Sequence, residues 1–221
     1  MTWNIQHGRR YDTHRPDPAA LAAACVALDA DVLALQEVDR GTRRVHGADL
    51  LQLVAHATGL TPVDGAATTY EGGTFGNALL VRGEPVAPAV VVLPRHRHRS
   101  EPRSLVRCRF AGLTVATCHL DNGTDAAPQF GVALAALPAA GPAVLAGDLN
   151  LAPGSVDAIL AVAGPGWSQV EVAMAYPARE PDRTIDHVLV RDIGVVAALP
   201  SVERPVVSDH RPVAVELDWP A

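Results

Sequence analysis

Short apolar runs of strand type recur along nearly the whole chain, and they limit what it can fold into more than any other feature. They cover Asp31 to Leu35, Ala78 to Arg82, Ala89 to Leu93, Leu113 to Cys118, Ala143 to Ala146, Ile185 to Val190 and Val213 to Leu217. Ser104 to Phe110 adds a strict alternation, with Val106, Cys108 and Phe110 on one face and Arg107 and Arg109 on the other, the pattern of a half-buried strand. Helical patterns interrupt these runs. Asp17 followed by Pro18 is a helix start, and Leu21, Cys25 and Leu28 then share one face at i, i+4, i+7. A second helix is expected over Asp49 to Thr58 with Gly59 as its stop, and others near Pro128 to Leu137 and Ser155 to Val162. Helices toward both ends with strands between them argue against a helical bundle and an all-β barrel. They point to layers of sheet and helix.

A chain of 221 residues suits one domain, here residues 1 to 221, better than a modular array. With 48% hydrophobic and 19% charged residues it can bury a core, which excludes wholesale disorder, and with only 4% aromatics that core must be Ala, Val and Leu. The longest nearly apolar stretch, Val132 to Ala146, is broken by Pro138, Gly141 and Pro142, so no membrane span is expected. The start MTWNIQHGRR lacks the pattern of a secretory signal, and a cytoplasmic location is the expectation. Cys25, Cys108 and Cys118 form no CxxC pair and read as small buried groups rather than a disulfide framework. All eighteen basic residues are Arg, which excludes Lys-based covalent chemistry; Arg forks suit phosphate, but GC-rich coding explains the absence of Lys more simply. A net charge of -6 argues against a surface that grips nucleic-acid backbones everywhere, although the run Arg95 to Arg99, read as an exposed loop, leaves a local basic patch open.

Residues able to bind metal or move protons stand at the ends of the apolar runs, where a strand would deliver them to one rim of a sheet. Glu37 follows the run that ends at Leu35, as a hard-cation ligand would, and His119 follows LTVATC in the same manner. Alone, each reads more simply as a surface acid or a structural histidine. In AVLAGDLNLAP, Gly147 permits a close turn, and Asp148 and Asn150 at i, i+2 can orient a water and hold a phosphoryl oxygen; an Asx turn fits equally well on local grounds. Asp186 opens one strand in TIDHVLV. Asp209 and His210 precede the last one, and they can serve a single site only from the turn ahead of it, which Ser208 and Pro212 favour. An Asp on one ring nitrogen of a His fixes the tautomer and frees the other nitrogen for substrate.

Taken in order, these segments resemble the endonuclease/exonuclease/phosphatase family, the DNase I-like metal-dependent phosphoesterases. The resemblance runs through TWNIQHG with Asn4, LQEVDRGT with Glu37, FGNALLVR with Asn77, EPRSL with Arg103, TCHLD with His119, AGDLNLAP with Asp148 and Asn150, TIDHVLV with Asp186, and SDHRPVAVEL with Asp209 and His210. It implies an α+β fold of four layers, α/β/β/α, in which two packed, mostly antiparallel sheets are flanked by helices and the site lies at one rim. By that resemblance Glu37 is the principal Mg²⁺ (or Mn²⁺) ligand with Asn4 and Asp209 beside it. Asp148 orients or deprotonates the attacking water, Asn150 and His119 hold phosphate oxygens, and Asp186 orients His210 at the scissile phosphate. Arg103 is a weaker candidate for contact with the substrate, as is Asn77, which can equally be structural. Carboxylate and amide ligands suit Mg²⁺ or Mn²⁺, and no Cys or paired-His spacing recommends zinc.

Only Met1, Thr2 and Trp3 precede Asn4, which leaves open either a natural start upstream of Met1 or a short first strand, and the chain is compact for that family, with little room for the insertions of larger members. The implied activity is metal-assisted hydrolysis of a phosphomonoester or phosphodiester, with a small-molecule substrate favoured. A nuclease or repair-type reading is kept open by Arg40, Arg43, Arg44 and the Arg95 to Arg99 run. A non-catalytic binding module on the same fold is the third alternative, and a pure binder has no need of the Asp186, Asp209 and His210 group.

Overall fold

The computed structural model describes residues 1–95, 101–200 and 206–219. Apart from Arg95, the basic run Arg95 to Arg99 lies outside the described residues.

Two sheets carry the molecule. The first has the order β1 (Thr2–Asn4), β2 (Val32–Arg40), β4 (Gly73–Val81) and β3 (Thr61–Tyr70). The second runs β5 (Val86–Val92), β6 (Ser104–Phe110), β7 (Leu113–His119), β8 (Ala143–Asp148), β10 (Asp186–Arg191) and β9 (Ser168–Gln169). A ribbon of β11 (Gly194–Leu199) and β12 (Ala214–Asp218) follows, tied to the first sheet by a Thr2–Val213 bridge. Pairing is antiparallel except for β1 with β2 and β7 with β8. The expected apolar strands are all present, β1 is the short first strand, and β3, β9 and β11 are additional.

Helices α1 (Pro18–Ala27) and α2 (Leu50–Thr58) start where the sequence says they should. The Asp17 and Asp49 carboxylates accept from the backbone N–H of Ala20 and Gln52 at 3.0 Å each, and Gly59 ends α2 in the left-handed region at φ 72°. Each such cap stabilises its helix by about 1 kcal/mol. Helices α3 (Ala126–Ala135) and α4 (Pro153–Ala163) match the remaining two expectations to within two residues at each end.

Three apolar clusters define the layering. One packs Leu21, Cys25, Leu50, Leu51 and Val54 of α1 and α2 against Trp3, Leu33, Leu35 and Leu80. A second packs Phe130, Ala133, Leu134, Val156 and Leu160 of α3 and α4 against Leu105, Cys118, Leu145 and Leu189. The third fills the space between the sheets with small residues, among them Ala34, Val106, Val115, Ala146 and Val188. Helices, sheet, sheet, helices is the α+β sandwich that the sequence implies, and the three cysteines are buried and unbridged within it. Among the described residues no helix is long and apolar enough to cross a membrane.

Candidate functional site

Register places the chemistry. His119 stands opposite Asp148 across the parallel β7–β8 ladder, and Asp148 stands opposite Asp186 across the antiparallel β8–β10 ladder. Directly opposed residues point to one face, and here it is the inter-sheet face, because Val115, Ala146 and Val188 share their parity and lie in the inter-sheet core. One rim therefore collects the three polar side chains in a row. The close approach of β8 to β7 depends on Gly147, where a Cβ would collide with the Cys118 carbonyl.

From the facing sheet come Asn4 and Glu37. Alternation would send Glu37 to the helix side along with Leu33 and Leu35. A bulge between Leu35 and Val38, with Glu37 at φ 58°, turns it instead toward the rim. Glu37 is thus not beyond the end of its strand, as the sequence suggests, but at a bulge inside β2, which continues to Arg40. Gln36, fully buried beside it, donates to Thr2 Oγ1 at 3.0 Å, Ala34 O at 3.0 Å and Thr117 Oγ1 at 2.8 Å, which pins the bulge to both sheets.

The amide of Asn4 bridges two carboxylates: Nδ2 donates to Glu37 Oε1 at 3.1 Å and to Asp148 Oδ2 at 3.0 Å, while Oδ1 accepts from the Gln6 N–H at 3.1 Å. Asn4 is thereby a clamp on Glu37 and Asp148, with its oxygen turned to the backbone. The backbone N–H of Asn150 donates to Asp148 Oδ1 at 3.1 Å, so the Asx turn is real, and its side-chain amide donates to Leu120 O at 3.0 Å. Asn150 is itself left-handed at φ 51°.

The turn before β12 holds Asp209 and His210, as the sequence requires. Ser208 Oγ donates to Asn4 O at 2.6 Å and accepts from the His210 N–H at 3.0 Å, and Trp3 Nε1 donates to His210 O at 2.9 Å. His210 Nδ1 lies 2.8 Å from Asp186 Oδ2, its Nε2 lies 3.8 Å from Asp148 Oδ2, and the Tyr176 ring packs on it at 4.6 Å between centroids. Burial alone would lower the pKa of His210, but the charges of Asp186, Asp148 and Asp209 outweigh it and raise the ring to about 9. Asp148 moves the same way, raised to about 7 by burial and by the Asp186 charge.

His119 behaves oppositely. Arg103 Nη1 sits 2.9 Å from His119 Nδ1, and a guanidinium can only donate, so Nδ1 must accept and the proton belongs on Nε2, 3.4 Å from Asp148 Oδ2. Burial, then the Arg103 and His210 charges, hold this ring well below its ordinary pKa. Arg103 is buried, bridging His119 and Glu101 at 3.1 Å. Among these contacts its guanidinium is engaged by His119 and Glu101. Asn77 fits the structural alternative: its Nδ2 donates to Ser104 O at 2.7 Å between the two sheets, so it pins the sandwich.

Cation ligands can be judged on the same geometry. Ligand atoms of Asp148, Asp186 and His210 lie within 4.8 Å of one another. A ring held protonated to about 9 and committed to Asp186 is a poor ligand, however. Glu37 fits better: burial raises its carboxyl and the Asp209 charge adds to the effect against the Asn4 hydrogen bond, so a divalent cation would relieve a buried, crowded negative charge.

Sequence reasoning passed over Gln36, Tyr176 and His7. A Gln in an apolar strand was the available signal for the first. Tyr176 carried none, because the loop between β9 and β10 has no register to read. His7 lies three residues after Asn4 in the quoted motif, with its Nδ1 3.9 Å from Glu37 Oε2.

Comparison with known proteins agrees with this geometry. The Endonuclease/Exonuclease/phosphatase family matches residues 1–210. An endonuclease/exonuclease/phosphatase from Beutenbergia cavernae is similar, with 25% identity, a TM-score of 0.75, and coverage of 98% of this chain and 70% of that one. D. rerio TDP2, solved in complex with a single-strand DNA product, shares the fold at 17% identity and TM-score 0.70, covering 97% of this chain and 96% of that one. The mannosyl-6-phosphatase Bt3783 of Bacteroides thetaiotaomicron does so at 19% identity and TM-score 0.65, covering 99% and 98%. No curated protein matches the chain.

Proposed function

The chain belongs to the endonuclease/exonuclease/phosphatase family, and on that premise we propose that it is a divalent-metal-dependent phosphoesterase acting on a small or exposed phosphate ester. The observation that carries this reading is the row of His119, Asp148 and Asp186 on three neighbouring strand ends, faced by Asn4 and Glu37. Family members are phosphoesterase hydrolases, and every polar group in the row has a role in that chemistry.

Glu37, with Asp209 near it and Asn4 clamping it, would hold Mg²⁺ or Mn²⁺, which when bound supplies Lewis acidity toward a phosphoryl oxygen. Asp148, held between Asn4 and the Asn150 N–H, positions a water and takes its proton. His210, kept cationic by Asp186, sets a positive charge against the charge that develops on the phosphoryl oxygens. His119 presents Nε2–H to the same region because Arg103 occupies its other nitrogen. Asn150 keeps one amide hydrogen for a phosphate oxygen once the other is spent on Leu120.

Two of the arginines that kept a nuclease reading open are already neutralised. Arg40 pairs with Asp49 and Asp64, and Arg44 pairs with Asp39 at 2.6 Å. With a net charge of -6, this supports a small substrate over a long nucleic acid. The test is a panel of phosphomonoesters, including a sugar phosphate, with phosphodiesters, nucleotides, duplex DNA and abasic-site DNA, assayed with Mg²⁺ and with Mn²⁺. A small ester should be cleaved with the higher kcat/KM, and EDTA should abolish turnover. A tenfold advantage for DNA would transfer the reading to the nuclease, and full turnover after thorough chelation would remove the metal.

A further inference from the structure

His7 has no place in the chemistry above, yet the chain is bent to bring it there. Gln6 and His7 are both left-handed, at φ 43° and φ 46°, a conformation that costs non-glycine residues of their kind about 1 kcal/mol or more each. The turn they make folds the His7 ring over the bulge at Glu37, which is left-handed as well. The Asn4 amide takes Glu37 Oε1 at 3.1 Å, and His7 Nδ1 faces the other oxygen, Oε2, at 3.9 Å. That nitrogen is shielded from solvent and has no hydrogen-bond partner.

The separation is informative. If Nδ1 carried a proton, the natural outcome would be a closed hydrogen bond to Oε2 at about 2.8 Å, and 3.9 Å is too long for one. If it does not, a buried ring nitrogen without a hydrogen-bond partner stands beside a carboxylate oxygen, and burial makes that unfavourable. A cation between the two atoms resolves the second case, which the 3.9 Å separation favours, since only an unprotonated ring nitrogen can be a ligand. Atoms each about 2.1 Å from one ion can stand no more than about 4.2 Å apart, so the observed gap accommodates a shared ion slightly off the line joining them.

Resting on the metal-dependent reading above, we propose that His7 Nδ1 is a ligand of the Glu37-bound cation, giving a mixed nitrogen and oxygen site that prefers Mn²⁺ or a similar transition-metal ion to Mg²⁺. Imidazole suits the borderline divalent metals, whereas Mg²⁺ takes oxygen. Selectivity between the ions would then be set by one residue outside the acid and histidine group.

His7→Asn is the discriminating variant, because asparagine tolerates the left-handed backbone and exchanges the nitrogen ligand for an amide. Calorimetric titration should show Mn²⁺ affinity reduced roughly tenfold or more, the scale on which groups around a metal act, with Mg²⁺ affinity changed much less. Pulsed EPR of the Mn²⁺-loaded protein should show a ¹⁴N coupling that His7→Asn removes. Unchanged Mn²⁺ affinity and an unchanged nitrogen coupling in a folded His7→Asn protein would overturn the proposal. Glu37→Gln in parallel separates the two levels. If it loses Mn²⁺ while His7→Asn does not, only the His7 ligand is wrong; if both variants bind Mn²⁺ as before, the Glu37 site itself is wrong.

Discussion

The inter-sheet stripe that ends in His119, Asp148 and Asp186 has a second end, and the two are built on opposite principles. At the rim that carries the candidate site, hydrogen bonds fix most of the polar side chains: Asn4 holds two carboxylates, Ser208 ties the His210 turn to β1, and Gln36 locks the bulge. Farther along the same strands, Ala34, Val115, Ala146 and Val188 line a cavity of about 630 Å³, together with Val215, Leu217, Asp29, Asp31, Arg82 and Glu216. Tight apolar packing lies elsewhere, against the helices, where Trp3, Phe130 and most of the leucines sit. The rim is therefore over-determined and chemically costly, whereas the far end is loosely filled and chemically inert. Activity should be lost at one end without stability, and stability changed at the other without activity.

Asp148→Asn is the strongest attempt to break that separation. Turnover should fall roughly 10²- to 10⁴-fold, the usual worth of a positioned base. Mn²⁺ affinity should stay close to its original value and the melting temperature should hold or rise, since a buried, crowded carboxylate is removed. A sharp drop in melting temperature would make Asp148 a structural residue, and a large loss of Mn²⁺ would make it a ligand. Next in size is the Asp186–His210 unit, joined at 2.8 Å. Asp186→Asn and His210→Ala should each cost orders of magnitude in kcat, and the double variant much less than their product, because both damage one device. Multiplicative losses would mean that the two act independently.

A smaller effect follows from protonation. Asp148 works as a base only once it has lost its proton, and burial with the Asp186 charge raises it to about 7. His210 works as a cation only while it keeps its proton; burial opposes this, but the Asp186, Asp148 and Asp209 charges hold it to about 9. The kcat/KM profile should therefore climb as pH passes about 7 and decline as it passes about 9. Residual activity of Asp148→Asn should lack the rising limb while keeping the falling one. A rising limb that survives the substitution would assign it to another group.

How much of this was legible beforehand depends on which physical rule set each residue. Strand ends were readable, since an apolar run that stops at His119 or Asp148 announces where the side chain emerges. The caps of α1 and α2 were readable too, because Asp17, Asp49 and Gly59 act within a few residues of their own position. Strand β3 was not, because Pro62, Asp64 and Gly65 are poor strand residues that pairing with β4 overrides. Nor was the true placement of Glu37: a bulge shifts parity without any sequence mark, and only register with β4 reveals it. Asn77 stayed open between substrate and scaffold because motif position says nothing about where an amide finds its partner.

The far end offers the mildest test and the cleanest, since it asks whether loosely filled space can be filled for free. Val115 is buried on β7, lines the cavity, and lies four residues before His119 on the same face of the β7–β8 ladder, with Thr117 between them. Val115→Ile adds one methylene directed into that space and keeps a β-branched side chain on a strand. Burying it should contribute about 0.8 kcal/mol, which for a domain of this size raises the melting temperature by roughly 2–3 °C. kcat/KM should stay within about twofold, because no hydrogen bond at the rim depends on Val115 and additivity holds for separated sites. Loss of about 1–3 kcal/mol instead would be the signature of overpacking, and would mean that the space between the sheets is closed in solution. A fall in kcat with stability intact would be the more serious result, since it would show that the two ends of the stripe are mechanically coupled and that the rim owes its geometry to the packing behind it.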